Sequence, residues 1–349
     1  MRQNKEKYRL VAVFVTAALL LAAIFVSAQM GSADVSVLSL LRQRMSGVYE
    51  ADYDSMAYIF TQVRLPRILL CTLTGLALGL SGCVMQSLMR NPLASPYTLG
   101  VSNGAAFGAA LAMLWGGGTL GAGFSFLGYS AVAMNAFVFG CLSLAIVCAA
   151  SKLCGGNLSV LILTGSAIGS LFSAGISILK YLSSAEALKN LDIWLMGGFW
   201  ASNWKSVLTV LPFCLLSLLF TLRFAWDFNA MNAGESIAVT LGVHVKLLKA
   251  VSLILVTLTA SVSIAFSGVI GFIGLVAPHI ARSLVGVDNR KLIPESALMG
   301  ALVLLVSDTV ARTVLLPKEI PVGIITSLIG VPFFIFILAG RRKQLWGNL

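Results

Sequence analysis

The chain has 349 residues, 58% of them Ala, Val, Ile, Leu, Met, Phe, Trp, Tyr or Cys and only 11% charged, against about 25% charged in an ordinary soluble protein. With a mean hydropathy of +0.94, its 24 basic and 13 acidic side chains cannot cover a water-facing surface of this size, which excludes a soluble enzyme. The net charge of +11 does not indicate nucleic acid, because the basic residues punctuate apolar runs instead of forming a patch interleaved with aromatics.

A membrane-spanning helix needs about 20 apolar residues. Residues 10–33 are a 24-residue charge-free run behind the basic Met1–Arg9, longer than the core of a signal peptide. Although Val26-Ser27-Ala28 resembles a cleavage site, the run is expected to be an uncleaved first span. The 61-residue charge-free run 91–151 must hold two helices, with a turn at Gly116–Gly123 because glycine-rich sequence breaks helices. A second break is expected near Gly268, Gly271 and Gly274. The pattern therefore predicts an all-α polytopic membrane protein, one domain over 1–349, with ten spans over 9–30, 66–89, 97–115, 128–150, 159–182, 197–222, 246–267, 272–286, 293–312 and 321–340. An even number puts both termini on one side. That side collects fifteen Lys and Arg against nine on the other, so the positive-inside rule places both termini in the cytoplasm.

The six cysteines lie in or beside apolar runs without a Cys-x-x-Cys pair, and the only histidines are His244 and His279. Neither a disulfide framework nor a metal site is indicated. Gly116, Gly118 and Gly121 spell Gly-x-Gly-x-x-Gly, but no strand precedes them, so they read as a turn. No Gly-x-x-x-x-Gly-Lys-Ser/Thr motif occurs, so ATP binding by a P-loop must come from another subunit.

Several polar residues have more than one reading. Arg64 and Arg67, at the outer end of the second span, and Arg312, at the outer end of the ninth, read from the sequence as interfacial snorkelling cations. Asp308 would cost about 2.5–3.5 kcal/mol if isolated at a span centre. It is either a proton relay or the partner of Arg312, four residues on along the same face. Lys180 and Glu295 fall near predicted span ends and can snorkel. Small residues crowd the fifth span, including Gly165, Gly169, Ser166, Ser170, Ser173 and Ser177, and suit close packing or a mildly polar wall. His279 is expected to satisfy backbone groups freed at the break beside Pro278. The segment 226–243 suits one or two short helices interrupted at Gly234 and Gly242. From 229 to 243 it has no Lys or Arg, unlike a helix lying on lipid headgroups, so it fits docking to a protein partner.

Four segments are more particular: Arg64-Leu65-Pro66-Arg67; Ser81-Gly82 to Gln86 with Asn91-Pro92-Leu93-Ala94-Ser95-Pro96-Tyr97-Thr98-Leu99-Gly100; Gly268 to Arg282; and Ser307-Asp308 with Arg312 through Glu319-Ile320-Pro321-Val322-Gly323 to Gly330-Val331-Pro332. In order and spacing, from about residue 60 to 340, they resemble the FecCD-type permeases of ABC importers for ferric siderophores, haem and cobalamin. The resemblance implies a type II ABC importer permease architecture working as a homo- or heterodimer, with two cytoplasmic ATPase subunits that bind ATP and Mg, an external substrate-binding protein, and no cofactor in this chain. It implies that Arg64, Arg67 and Arg312 dock acidic residues of the binding protein. Glu235, Ser236, Ala238, Leu241 and Gly242 would contact the ATPase. Asn91, Leu93 and Ser159 would form a cytoplasmic gate, and Ser166, Ser170, Ser173 and Ser177 would line the path. Gly271, Gly274, Pro278, His279 and Asp308 would serve structurally. The expected cargo is a ferric siderophore, with haem or cobalamin as the alternative. An ion-coupled secondary transporter is the remote one, since Asp308 is the only plausible mid-membrane carboxylate for it. The expected location is the bacterial cytoplasmic membrane.

Overall fold

A computed structural model describes the backbone of residues 2–31, 36–49, 51–114, 131–155 and 158–345. The turn expected at Gly116–Gly123 lies outside the described residues. The helices are α1 (Arg2–Gln29), α2 (Val37–Ser46), α3 (Tyr53–Tyr58), α4 (Leu65–Leu88), α5 (Val101–Leu114), α6 (Ala131–Leu153), α7 (Leu158–Tyr181), α8 (Ala185–Leu195), α9 (Trp204–Arg223), α10 (Ala225–Ala233), α11 (Glu235–Thr240), α12 (Val245–Ser267), α13 (Ile273–Val285), α14 (Asn289–Thr313) and α15 (Val322–Leu345). A π-helical turn over Ile59–Arg64 joins α3 to α4. Among the described residues seven helices are long and apolar enough to cross a membrane, and α5, α13 and the apolar part of α15 are shorter apolar helices. The fold is all-α and polytopic, with ten apolar helices among the described residues.

The centre of the bundle is α4. Of its most apolar stretch 83% is buried, against 17% for α1 and for α7. The cause is a small-residue face: Gly75, Gly79 and Gly82 stand four and three residues apart, and a Cβ on any of them would overlap backbone of Gly300, Ser296 or Gly274 respectively. Removing the side chains lets α14 and α13 approach backbone to backbone, which is how helices gain packing where lipid supplies no hydrophobic drive between them.

The break between α12 and α13 runs from Gly268, at φ 67°, to Phe272, at φ 66°. Gly274 belongs to α13, in contact with α4. A Cβ on Gly271 would meet open space, so packing does not require glycine there. The span expected from 197 begins as a helix at Trp204, because Gly197 is left-handed and Asn203 caps α9 through the Ser206 N–H. The residues before it lead out of α8, a short helix capped by Ser184 whose Leu191 is fully buried. The span expected over 66–89 ends as a helix at Leu88, and Arg90 takes a left-handed conformation.

Candidate functional site

Where α1 finishes, α4 starts and α14 ends, the three predicted arginines point inward. Arg67 donates to Asp308 Oδ1 through Nη2 at 3.0 Å and to Glu319 Oε2 through Nη1 at 2.8 Å. Arg312 donates to Asp308 Oδ2 at 3.0 Å, to Ser27 Oγ at 2.7 Å and to the Met30 carbonyl at 3.1 Å. Arg64 donates to the Ala28 carbonyl at 2.8 Å. Arg64 and Arg312 are 5% and 4% exposed, which corrects their reading as snorkelling cations. Both guanidiniums satisfy carbonyls left without partners in the last turn of α1, where the helix end is also negative. Asp308 holds two guanidiniums at once.

Glu295 corrects a second expectation. It is fully buried and accepts a 2.7 Å hydrogen bond from Thr16 of α1, so it pins α1 to α14 instead of snorkelling. Lys180 pairs with Asp192 of α8 at the partly exposed end of α7.

Three of the four motifs converge on the break between α12 and α13. Tyr97 donates its hydroxyl to the Ile270 carbonyl, and Gly82 faces Gly274. The Gly323 N–H donates to Met196, and the Gly198 N–H to Ser267. Irregular backbone at this position is thereby held by protein on one side and lines a cleft on the other, the conditions under which a membrane protein tolerates it. His279 bonds the Leu275 carbonyl through Nδ1 at 2.9 Å, one turn back beside Pro278. An open cleft of ≈ 680 Å³ lies against the break, lined among others by Val269, Gly271, Ile324, Ser327 and Val331. On α7, Ser166, Ser170, Ser173 and Ser177 are exposed and share one face by their helical spacing. The side chain of Ser159 lies outside the described residues. Asn91 accepts the Leu93 N–H at 2.9 Å, and Leu93 is exposed beyond it.

At the opposite end, α10 is held by the core while α11 presents a face outward. Phe228 and Met231 are buried, and the Arg290 guanidinium stacks on Trp226 at 4.0 Å. Asn229 donates to Asp288 Oδ1 at 2.8 Å and accepts the Asn289 N–H at 2.8 Å. Ser87 of α4 donates to Asn289 Oδ1 at 3.1 Å, so one polar chain connects α10, α14 and α4. The Arg290 guanidinium, then the Asn229 amide, hold the Asp288 carboxyl down at about 2 against the partial burial that opposes them. Gly234 and Gly242 interrupt the segment at φ 143° and 83°. Glu235 pairs with Lys249 of α12. Ala238 is fully buried and anchors α11, whereas Ile237, Val239 and Leu241 are exposed. Of the predicted contact surface, Ala238 therefore drops out, because it is on the inward face of the turn.

The residues that the sequence left unassigned here are Thr16, Ser27, Asn229, Asp288 and Asn289. Two carried a signal: Asp288 precedes a helix as an N-cap candidate, and Asn229 is polar amid small apolar neighbours. The carbonyls of Ala28 and Met30 carried none, since every residue has one.

Comparison with known proteins accords with this geometry. A model of the FecCD transport family matches residues 19–340. The hemin transport system permease protein HmuU of Yersinia pestis is 38% identical over 90% of this chain and 92% of that protein. The molybdate import system permease protein MolB of Haemophilus influenzae is 40% identical over 79% of each. The solved structure of an inward-facing, metal-chelate type ABC transporter is 34% identical, covers 94% of this chain and 98% of its own, and superposes with a TM-score of 0.80. The chain belongs to the FecCD transport family and is a multi-pass inner-membrane permease of an ABC importer, not itself an enzyme.

Proposed function

We propose that this permease carries a ferric siderophore across the cytoplasmic membrane by alternating access, working as a dimer with two ATPase subunits and an external binding protein. The observation that carries the coupling to an ATPase is the outward apolar face of α11, Ile237, Val239 and Leu241, on a segment whose other face is fixed in the core. A segment with no basic residue from 229 to 243 suits a protein groove better than lipid headgroups. ATP and Mg bind the partner ATPase, and this chain holds no cofactor. Both termini are cytoplasmic, on the side of α10 and α11.

At the outer end, Arg67 and Glu319 are the less buried members of the charge cluster, and acidic residues of the binding protein approach there. Such rim charges orient and steer a partner more than they add affinity. Arg64 and Arg312 serve the same surface by fixing the end of α1. The cargo passes between the serine face of α7 and the cleft beside α15, with Asn91 and Leu93 near its cytoplasmic exit. The FecCD assignment, together with hemin named for one relative and a metal chelate for the solved structure, supports an iron chelate.

The test is uptake into proteoliposomes containing the permease, its ATPase and its binding protein, supplied with ferric siderophore, haem, cobalamin or molybdate. Siderophore accumulation that requires internal ATP is the expected result. Accumulation of molybdate alone would reassign the cargo. Uptake that follows a proton gradient without ATP would make the chain a secondary transporter.

A further inference from the structure

At the end of the bundle opposite α10, the segment between α1 and α4 contains α2, a helix capped at both ends. Ser36 Oγ accepts the Ser39 N–H, and Gly47, at φ 69°, donates its N–H to the Gln43 carbonyl. The depth of α2 is set by the span before it. The Val37 N–H donates to Gln29 Oε1 at 3.1 Å, and Val37 packs against the core cluster that holds Ala28 and Ile68. Gln29 is the last residue of α1, whose apolar length matches the hydrocarbon thickness, so α2 begins at the level where α1 leaves the bilayer. A second marker agrees. The exposed Trp204 donates its indole N–H to the carbonyl of Thr61, three residues before Arg64, and tryptophan collects at the headgroup level.

Leu40 and Gln43 are buried and hold one side of α2 to the protein. Leu38 and Met45, two helical turns apart and so on one face, are 62% and 87% exposed on the other side. Arg42 and Arg44 are exposed as well, and α2 contains no Asp or Glu. Neither arginine forms an ion pair among the described residues. The acids Asp52 and Asp54 lie at the start of α3, beyond the turn at Gly47. An apolar face flanked by arginines at headgroup depth is the composition of a helix lying in the membrane surface, which α11 lacks. We propose that α2 lies in the membrane interface and binds anionic lipid headgroups, with Leu38 and Met45 at the acyl boundary and Arg42 and Arg44 against the phosphates. The attachment fixes the segment that leads into Arg64, whatever the cargo. An acidic face of the binding protein is the competing occupant, and it would leave Met45 in water whenever that protein is absent.

The permease and ATPase complex is placed in nanodiscs of phosphatidylcholine, with or without phosphatidylglycerol. Spin labels are attached at Met45→Cys and, as a lipid-facing standard, at Leu21→Cys of α1, on a Cys154→Ser background that removes the exposed native thiol. Accessibility to oxygen and to a water-soluble nickel chelate is then measured. In phosphatidylglycerol discs the Met45 label is expected to favour oxygen over nickel, as the Leu21 label does. Arg42→Gln or Arg44→Gln should raise its water-exposed fraction about fivefold, the worth of one arginine near an anionic surface, and should change nothing in phosphatidylcholine alone. Both substitutions alter exposed side chains and should leave the thermal midpoint of the complex unchanged. A Met45 label open to nickel in both lipids, or variants that match wild type in both, overturns the proposal. A label shielded only after the binding protein is added also overturns it and assigns the face to that partner.

Discussion

Arg67 at the start of α4 and Asp308 near the end of α14 form a buried ion pair at 3.0 Å, and the same carboxylate holds Arg312 at 3.0 Å. Removing the carboxylate leaves Arg312 buried without a counter-charge, which costs about 3–5 kcal/mol. Asp308→Ala is therefore expected to lower the thermal midpoint of the purified permease sharply and to reduce its yield. Lys180→Ala, which breaks the half-exposed pair with Asp192, should cost about 1 kcal/mol or less. Fluorescence-detected unfolding of both variants in detergent checks the contrast.

Gly82→Ala places a methyl group on the Gly274 carbonyl oxygen, and backbone cannot yield as a flexible side chain can. Separation of α4 from α13 and loss of folded protein is the expected outcome. Gly271→Ala meets open space and should leave folding close to wild type. Size-exclusion profiles of the two variants decide; an unperturbed Gly82→Ala profile would refute the close packing.

On α11, Leu241 is 68% exposed and Ala238 fully buried. Leu241→Asp should leave the thermal midpoint unchanged while reducing ATP-driven uptake at least about tenfold, because a charge replaces an apolar anchor at the proposed interface. Ala238→Asp should instead destabilise the chain, since an unpaired buried charge is costly. Uptake and unfolding measured on the same preparations separate the two effects.

Acid should loosen the attachment of α10. The folded Asp288 carboxyl sits at about 2, below the ordinary value of about 3.9, so its contribution is complete above the ordinary value and is lost as pH falls towards 2. Stability measured from pH 5 downward should decline less steeply in Asp288→Asn than in wild type over that window. Parallel curves would remove Asp288 from the account.

The order of the apolar helices, the breaks at Gly234, Gly242 and Gly268, and the pairing of Asp308 with Arg312 were legible in the sequence. Each follows from local rules: run length against bilayer thickness, the conformational freedom of glycine, and the four-residue spacing that brings side chains together on a helix. The face that Gly75, Gly79 and Gly82 give to α4 is also a local pattern, but which helices occupy it is not. Only the tertiary structure decided that the arginines point into the bundle and cap α1, that Glu295 meets Thr16, and that Gln86 accepts a hydrogen bond from Arg282. These depend on partners 36 to 285 residues away, and several of those partners are backbone carbonyls. A buried charge or donor requires a partner for its free energy, and the sequence states that requirement without naming which distant group fulfils it.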